Sequence, residues 1–162
     1  MSPRAVFSIL NSSFFILNVG DILDRQEAIE FLLDHYQNPR NHGAFEPVDV
    51  AMPGGNPGCG DVVTIYLKVD EAGDRIEHVT FEGTGCTISQ AAASILTEMV
   101  DQKPLAEVDE MDFNDMIDTL GREVVNTRPR CATLALGTLK AAITKYRTDK
   151  IQAELELNPR ES

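Results

Sequence analysis

Hydrophobic residues recur along the chain with two different periods, and the switches between them predict the order of the elements. Between Asp24 and Tyr36 they fall three and four positions apart, which is typical of one face of a helix that ends at Asn38-Pro39. From Val62 to Val69 they alternate with other residues, and a second such run covers Ile76 to Glu82. These two runs predict an antiparallel hairpin. The predicted buried face of the helix holds Ala28, Ile29, Leu32, Leu33 and Tyr36.

The stretch between the helix and the hairpin, residues 38–58, is rich in proline and glycine. It predicts an irregular connection or an edge strand. Because a hairpin places its two outer ends side by side, the residues just before Val62 and just after Glu82 are expected to be neighbours.

Helical periodicity returns after residue 86. An apolar stripe from Ile88 to Val100 predicts a helix, with Thr87 or Ser89 available as its N-cap. A shorter helix is expected over residues 112–120, ended by Gly121, and a last helix is expected to start at Cys131.

Strands early and helices late predict an α+β domain, a small antiparallel β-sheet with helices packed on one face. At 162 residues the chain is long enough for one such domain, expected over residues 23–147. Residues 148–162 are mostly polar and are expected to form a frayed C-terminal tail.

Residues 1–22 form an apolar N-terminal extension in which residues 5–20 carry no charge. This run has some features of a secretory signal, but it lacks a small-x-small cleavage site and is too short to span a bilayer. The alternatives are a start codon placed too early, or an arm that packs on the domain or on a second subunit.

The formal net charge of −12 argues against a nucleic-acid partner, because the chain repels phosphate backbones, and favours a basic protein partner. Apart from the apolar N-terminal run, nothing in the chain indicates a membrane partner. Three cysteines far apart in sequence do not form the framework of a small secreted protein, and they favour the cytoplasm.

The three cysteines, Cys59, Cys86 and Cys131, each lie where a loop gives way to a regular element. Cys86 and Cys131 start predicted helices, a position that lowers a thiol pKa and favours the thiolate. An extended backbone across Gly60 would point Cys59 and Asp61 to the same side. Three thiolates and one carboxylate suit a tetrahedral Zn²⁺ or an iron–sulfur cluster.

The alternative interpretation is that each cysteine is only a small buried hydrophobe, as free cysteines often are. The spacings match no zinc-finger pattern. In favour of a metal, Gly58, Gly60, Gly83 and Gly85 flank two of the thiols and predict an open backbone that a bulky ligand can approach. A surface or capping role is expected for His35, His42 and His78.

Four motifs together resemble the U-type iron–sulfur cluster assembly scaffolds, the family that includes IscU, the N-terminal part of NifU, and SufU. The likeness runs from about Asp34 to Tyr146. The motifs are His35-Tyr36-Gln37-Asn38-Pro39-Arg40-Asn41-x-Gly43, Asn56-Pro57-x-Cys59-Gly60-Asp61, Phe81-Glu82-Gly83-x-Gly85-Cys86-x-Ile88-Ser89 and Cys131-Ala132-Thr133-Leu134-Ala135.

The resemblance implies that Cys59, Cys86 and Cys131 bind a transient [2Fe-2S] cluster, with Asp61 as the fourth ligand or as the residue that keeps the cluster labile. It implies a cysteine desulfurase as sulfur source, with Cys131 as persulfide acceptor, iron and electron donors, and apo-proteins as recipients. Zinc is an alternative occupant of the cluster-free form. A homodimer is also open, with residues 14–19 as one candidate contact.

Two departures from the family pattern matter. The residue before Cys131 is Arg130, where many IscU-type scaffolds have a histidine ligand, so Asp61 gains weight as the fourth ligand. The local sequence around Cys86 and around Cys131 resembles that of SufU proteins. The segment between the two cysteines is, however, too short for the insertion that SufU proteins have there. Two rival functions remain: a zinc sulfurtransferase that uses the same four residues, and a protein with purely structural zinc.

Overall fold

The structure is a computed structural model that describes residues 25–58 and 60–158. Residues 1–22, predicted to be an apolar extension, and Cys59, a predicted ligand, lie outside the described residues. The elements in chain order are α1 (Arg25–Gln37), β1 (Val50–Asn56), β2 (Asp61–Val69), β3 (Ile76–Thr84), α2 (Thr87–Val100), α3 (Leu105–Glu110), α4 (Phe113–Leu120), α5 (Arg122–Val125) and α6 (Pro129–Leu157).

The three strands form one antiparallel sheet in the order β1-β2-β3. The predicted hairpin is confirmed as β2 and β3, with Ile65 opposite Phe81 and Val62 opposite Thr84. The last part of the proline- and glycine-rich stretch is the edge strand β1, whose Asn56 pairs with Asp61. The outer ends of the hairpin are therefore side by side, as expected.

Alternation along β2 and β3 builds the core, because every second side chain points to the same face of the sheet. Helix α2 packs against β3, α6 packs against β1 and β2, and α1 packs on α2. This confirms the α+β prediction of a small antiparallel sheet with helices packed against it. The fully buried sheet residues facing the helices include Val63, Ile65, Leu67, Ile76, Val79 and Phe81.

The face of α1 that packs on the core is rotated from the predicted one. Ala28, Leu32 and His35 are buried, whereas Leu33 and Tyr36 are 40% and 44% exposed. The expectation that His35 is a surface or capping residue is therefore wrong. Positions 28, 32 and 35 share one helical face, and His35 lies on it because hydrogen bonding compensates for its burial.

The expectation of a frayed tail from Thr148 onward is wrong as far as Leu157. Helix α6 continues to that residue, although Ile143 is its last buried residue. Neither glycine nor proline interrupts residues 138–158, and Pro159 is the first residue that cannot extend a helix. The short helices α3 and α5 were not predicted, because each is shorter than two full helical turns and shows no clear period.

Four chain segments meet at one end of the sheet: the start of β2, the end of β3, and the N-termini of α2 and α6. In the part of the chain that the structure describes, no helix combines the length and the apolar character needed to cross a membrane.

Candidate metal centre

The end of the sheet brings together Asp61, Cys86 and Cys131, three of the four predicted ligands. One potential ligand atom from each, a carboxylate oxygen and two sulfurs, all lie within 4.8 Å of one another. Asp61 is the first residue of β2, Cys86 is the N-cap of α2, and Cys131 is in the first turn of α6.

The Asp61 carboxylate is at the middle of the group and only 1% exposed. Its Oδ1 accepts hydrogen bonds from the Cys86 backbone N–H at 2.8 Å and from the Ser89 hydroxyl at 3.1 Å. Its Oδ2 accepts one from the Cys131 thiol at 3.0 Å. Burial by itself raises the pKa of Asp61, but the hydrogen bonds from Cys131, Cys86 and Ser89 outweigh it, so the net pKa lies below the usual value and the carboxylate is ionised.

Cys131 differs from its prediction in one respect. The thiol is 1% exposed, and its pKa is raised by burial first, and then by its hydrogen bond to Asp61 and its proximity to Cys86. The expectation that the helix N-terminus lowers this pKa is therefore wrong for the thiol in this hydrogen-bonded arrangement. Loss of hydration and a neighbouring carboxylate outweigh the partial positive charge of the helix end.

Cys86 is the more accessible of the two described thiols, being only half-buried. It is the N-cap of α2 and its side chain makes no capping hydrogen bond, so the prediction of Thr87 or Ser89 as N-cap is wrong. Asp61 from β2 accepts the free N–H of Cys86 instead. A carboxylate at this end of α2 is electrostatically favourable because the helix dipole is positive there.

Residues 57–60 connect β1 to β2. Gly60, the residue after Cys59, has a φ of +70° and donates its N–H to the Asn56 carbonyl at 3.0 Å. The backbone at Gly60 therefore turns, and the expectation of an extended Cys59-Gly60-Asp61 segment is wrong at this residue. Cys59 lies outside the described residues, and its ligand role stays a prediction.

The flanking glycines serve different purposes. A Cβ on Gly60 would meet nothing within 4 Å, which fits the predicted open backbone. Gly85, with a φ of +151°, is crowded instead: a Cβ there would overlap the Asp61 carboxylate and lie 2.9 Å from the Ser89 Oγ. The absence of a side chain at Gly85 thus lets Asp61 approach α2, and does not leave room for a ligand.

None of the three histidines belongs to the group. His42 packs edge-on against the Phe81 ring, and the half-exposed His78 lies 3.8 Å from Asp101. The residue before Cys131, Arg130, is exposed.

Sequence reasoning missed three polar residues that support the site. Asn56 directs its side-chain amide at the Cys131 sulfur at 3.8 Å, and Gln90 donates to the Ser89 hydroxyl at 3.2 Å. All three, Asn56, Ser89 and Gln90, are buried. Asn56 and Ser89 belong to the family motifs quoted above, and that was the available signal of a role at the site. The sequence alone shows no hydrogen-bond partner for either residue.

Two sulfurs and one carboxylate oxygen suit a soft or borderline metal, and a third thiolate would complete a tetrahedral set. The Cys131 thiol donates a hydrogen bond to Asp61 Oδ2 at 3.0 Å. Metal binding must displace the thiol proton, because the thiolate is the ligating form.

Comparison with known proteins places the chain in a family. Residues 28–153 match the family model described as the NifU-like N terminal domain. The iron-sulfur cluster assembly scaffold protein IscU of Aquifex aeolicus is 38% identical over 117 residues, which cover 72% of this chain and 74% of that protein. IscU of Escherichia coli is 36% identical over 124 residues, covering 75% of this chain and 94% of that protein.

The fold agrees with solved structures. A protein described as a candidate iron-sulfur cluster assembly scaffold for the SUF system, from Fervidobacterium islandicum, superposes with a TM-score of 0.59 and 28% identity, covering 82% of this chain and 99% of that one. The NifU-like N-terminal domain of Brucella abortus has a TM-score of 0.62 at 18% identity, which shows a common fold. The chain therefore belongs to the NifU-like N-terminal domain family, the U-type iron–sulfur cluster assembly scaffolds.

Proposed function

We propose that this protein is a scaffold on which a [2Fe-2S] cluster is built from iron and desulfurase-derived sulfur, and from which the cluster passes to apo-proteins. The observation that carries the proposal is the convergence of Asp61, Cys86 and Cys131 within 4.8 Å at one end of the sheet. Relatives that share 38% and 36% identity with this chain are named as cluster assembly scaffolds.

The proposed ligands are Cys59, Cys86, Cys131 and Asp61. Cys59 is two residues from Asp61 along the chain, and consecutive Cα atoms are about 3.8 Å apart, so its Cα lies within about 8 Å of the Asp61 Cα. That limit allows the third thiolate to reach the group formed by the other three residues.

The oxygen ligand gives the site its character as a carrier. Soft thiolates match the iron of a cluster well, whereas a carboxylate oxygen is a harder donor and is less well matched. Hydrogen bonds from Cys86 and Ser89 occupy Asp61 Oδ1, so Asp61 offers a single oxygen, Oδ2, as a ligand. A cluster held by three sulfurs and one such oxygen leaves more readily than one held by four sulfurs.

Sulfur enters by thiol exchange with a persulfide of a cysteine desulfurase. The Cys131 thiolate attacks the outer sulfur, the S–S bond of the donor breaks, its cysteine leaves as a thiolate, and a new S–S bond forms on Cys131. Two persulfide sulfurs take up four electrons as they become sulfide. Oxidation of two ferrous ions to ferric supplies two of these, and an electron-donor protein supplies the other two.

The buried position of Cys131 makes the first step conditional. Its thiol is protonated and bonded to Asp61 Oδ2, so this bond has to open before Cys131 can attack a persulfide. The half-buried Cys86 is the alternative acceptor. Trapping with a labelled sulfur donor separates the two, because the label stays on whichever cysteine accepts it.

Anaerobic purification followed by metal analysis and visible absorption tests the function. The proposal predicts iron and acid-labile sulfide in equal amounts, with the absorption of a [2Fe-2S] cluster, after incubation with a cysteine desulfurase. Zinc without iron, retained while sulfur passes through the protein, would instead indicate a zinc sulfurtransferase. The amount of this protein in separated cell fractions checks the expectation that it works in the cytoplasm.

A further inference from the structure

We propose that Ser89 is a positioning residue, which holds Asp61 through Oδ1 so that only Oδ2 faces the metal. This inference rests on the proposed function, because it takes Asp61 as a ligand. Ser89 lies in the first turn of α2 and is 1% exposed, although the apolar stripe of that helix does not require a hydroxyl there.

The Ser89 hydroxyl has one proton and two acceptors within reach. Its Oγ lies 3.1 Å from Asp61 Oδ1 and 3.1 Å from the Cys86 carbonyl. The Cys86 carbonyl already accepts the Gln90 backbone N–H at 3.2 Å, whereas Asp61 is a buried carboxyl that accepts from the Cys86 N–H, the Ser89 hydroxyl and the Cys131 thiol and donates to none of them. Hydrogen bonds to a carboxylate are about twice as strong as neutral ones, so we assign the Ser89 proton to Asp61.

A second donor strengthens this bond. The Gln90 side-chain amide donates to the Ser89 Oγ at 3.2 Å, so the bonds run in one direction, from Gln90 to Ser89 to Asp61. Each bond in such a chain polarises the next. Gln90 is buried as well, and its position on α2 is fixed by the helix.

The fold is arranged to let this contact form. Any side chain at Gly85 would overlap Asp61 Oδ1 and crowd the Ser89 Oγ. With the Cys86 N–H on the same oxygen, Oδ1 has two donors from α2. Oδ2 is left to the side of the site that holds the Cys131 sulfur, which lies 3.0 Å from it.

A purely structural role for Ser89 makes different predictions. If the hydroxyl only satisfied the end of α2, its removal would lower the stability of the protein and leave metal binding unchanged. If it acts through Asp61, its removal changes metal binding in wild type and has no further effect once Asp61 is gone.

Cobalt(II) titration of the metal-free protein under anaerobic conditions tests this. Thiolate-to-cobalt charge-transfer absorption reports binding, and the visible d–d bands report the donor set. We expect Ser89→Ala to raise the apparent Kd for Co²⁺ by about tenfold, as loss of a residue that orients a ligand usually does, and to shift the d–d bands. Asp61→Ala should raise the Kd at least as much.

Three further variants make the result specific. Asp61→Ala combined with Ser89→Ala should bind Co²⁺ like Asp61→Ala alone, and Ser89→Thr, which keeps the hydroxyl, should restore the wild-type bands. The matched control is Ser94→Ala on the same helix, where a fully buried serine makes two hydrogen bonds to other residues. It should lower stability and leave the Kd for Co²⁺ unchanged.

A Ser89→Ala protein with the Kd and d–d bands of wild type would overturn the inference. So would a loss in the double variant equal to the sum of the two single losses, or a wild-type protein that binds no cobalt. If cobalt behaves as predicted but no iron and sulfide are ever loaded, the proposed function fails and the positioning role of Ser89 stands.

Discussion

Two polar clusters, each built around buried residues, share helix α2, and they differ in what they can bind. The thiol cluster consists of Asp61, Cys86, Ser89 and Cys131, and the histidine cluster consists of His35, Arg40, Ser94 and Glu98. In the thiol cluster a carboxylate and two sulfurs converge within 4.8 Å. In the histidine cluster His35 Nδ1 lies 2.7 Å from the Ser94 hydroxyl, and His35 Nε2 lies 3.7 Å from the half-exposed Glu98 carboxylate.

The histidine cluster joins two helices. Ser94 also accepts the Arg40 backbone N–H at 2.8 Å, and the Asn41 side chain donates to Thr97 at 3.2 Å, so the cluster fixes α1 and the following loop to α2. His35 Nδ1 shares a hydrogen bond with the Ser94 hydroxyl, while Nε2 faces the Glu98 carboxylate at 3.7 Å. Burial of polar groups is therefore common to both clusters, and the type of donor atom separates a candidate metal site from a helix contact.

The largest expected difference between the clusters is in cargo binding. Cys86→Ser and Cys131→Ser should each lower bound iron by at least about tenfold, because each removes a ligand. Ser94→Ala should load like wild type. Iron and sulfide analysis after desulfurase-driven loading measures this, and normal loading of either cysteine variant would contradict the ligand assignment.

The same variants test the sulfur acceptor. Cys131→Ser should abolish transfer of labelled sulfur from the desulfurase, whereas Cys86→Ser should still accept it. Label accumulating on the Cys131→Ser protein at the normal rate would assign the acceptor role to another cysteine.

Asp61→Ala should act on the loaded and the metal-free protein in opposite directions. The loaded protein should release its cluster more slowly, because removal of the weakly matched oxygen ligand slows hydrolysis or release. This is a rate, separate from the equilibrium affinity for Co²⁺, which the same substitution lowers. The metal-free protein should lose about 1–3 kcal/mol of unfolding free energy, since the Cys86 N–H and the Ser89 hydroxyl lose a buried acceptor. Cluster bleaching in the presence of a chelator and denaturant unfolding measure the two, and faster bleaching than wild type would refute this explanation of lability.

The histidine cluster should control acid stability. Burial, and then the nearby Arg40, lower the pKa of His35 below 6.5, and these outweigh Glu98 and Asp34, which raise it. The fold therefore favours the neutral ring. The contribution of neutral His35 to the free energy of unfolding is fully present above pH 6.5 and is lost as the pH falls through the lower pKa of the folded state. His35→Gln should flatten this part of the stability curve, measured by denaturant unfolding at several pH values. A His35→Gln protein with the wild-type slope would contradict the assignment.

The smallest expected effect is that of Glu98→Gln. Its carboxylate is half-exposed, so its loss should change stability by less than about 1 kcal/mol. The pKa of His35 should fall further, because Glu98 raises it. The imidazole resonances in a pH titration by NMR report this shift, and an unchanged midpoint would show that Glu98 does not act on the ring.

The sequence predicted the features that depend on local patterns. The β2–β3 alternation predicted the hairpin, and the rarity of cysteine directed attention to the thiol cluster. The features that were missed depend on contacts between distant segments: Ser89 shows its role only where Asp61 of β2 meets α2. For His35 the spacing from Ala28 and Leu32 was a usable signal, but a polar residue on a buried face makes sense only with a partner such as Ser94.

The most direct test of the central claim, a cluster held by three sulfurs and one oxygen, is the Mössbauer spectrum of protein loaded with ⁵⁷Fe by a cysteine desulfurase. We predict two inequivalent ferric sites in wild type, one of them with an oxygen donor, and two nearly equivalent all-sulfur sites in Asp61→Cys. Loaded protein that contains zinc and no iron, or a spectrum that does not change in Asp61→Cys, would contradict the claim.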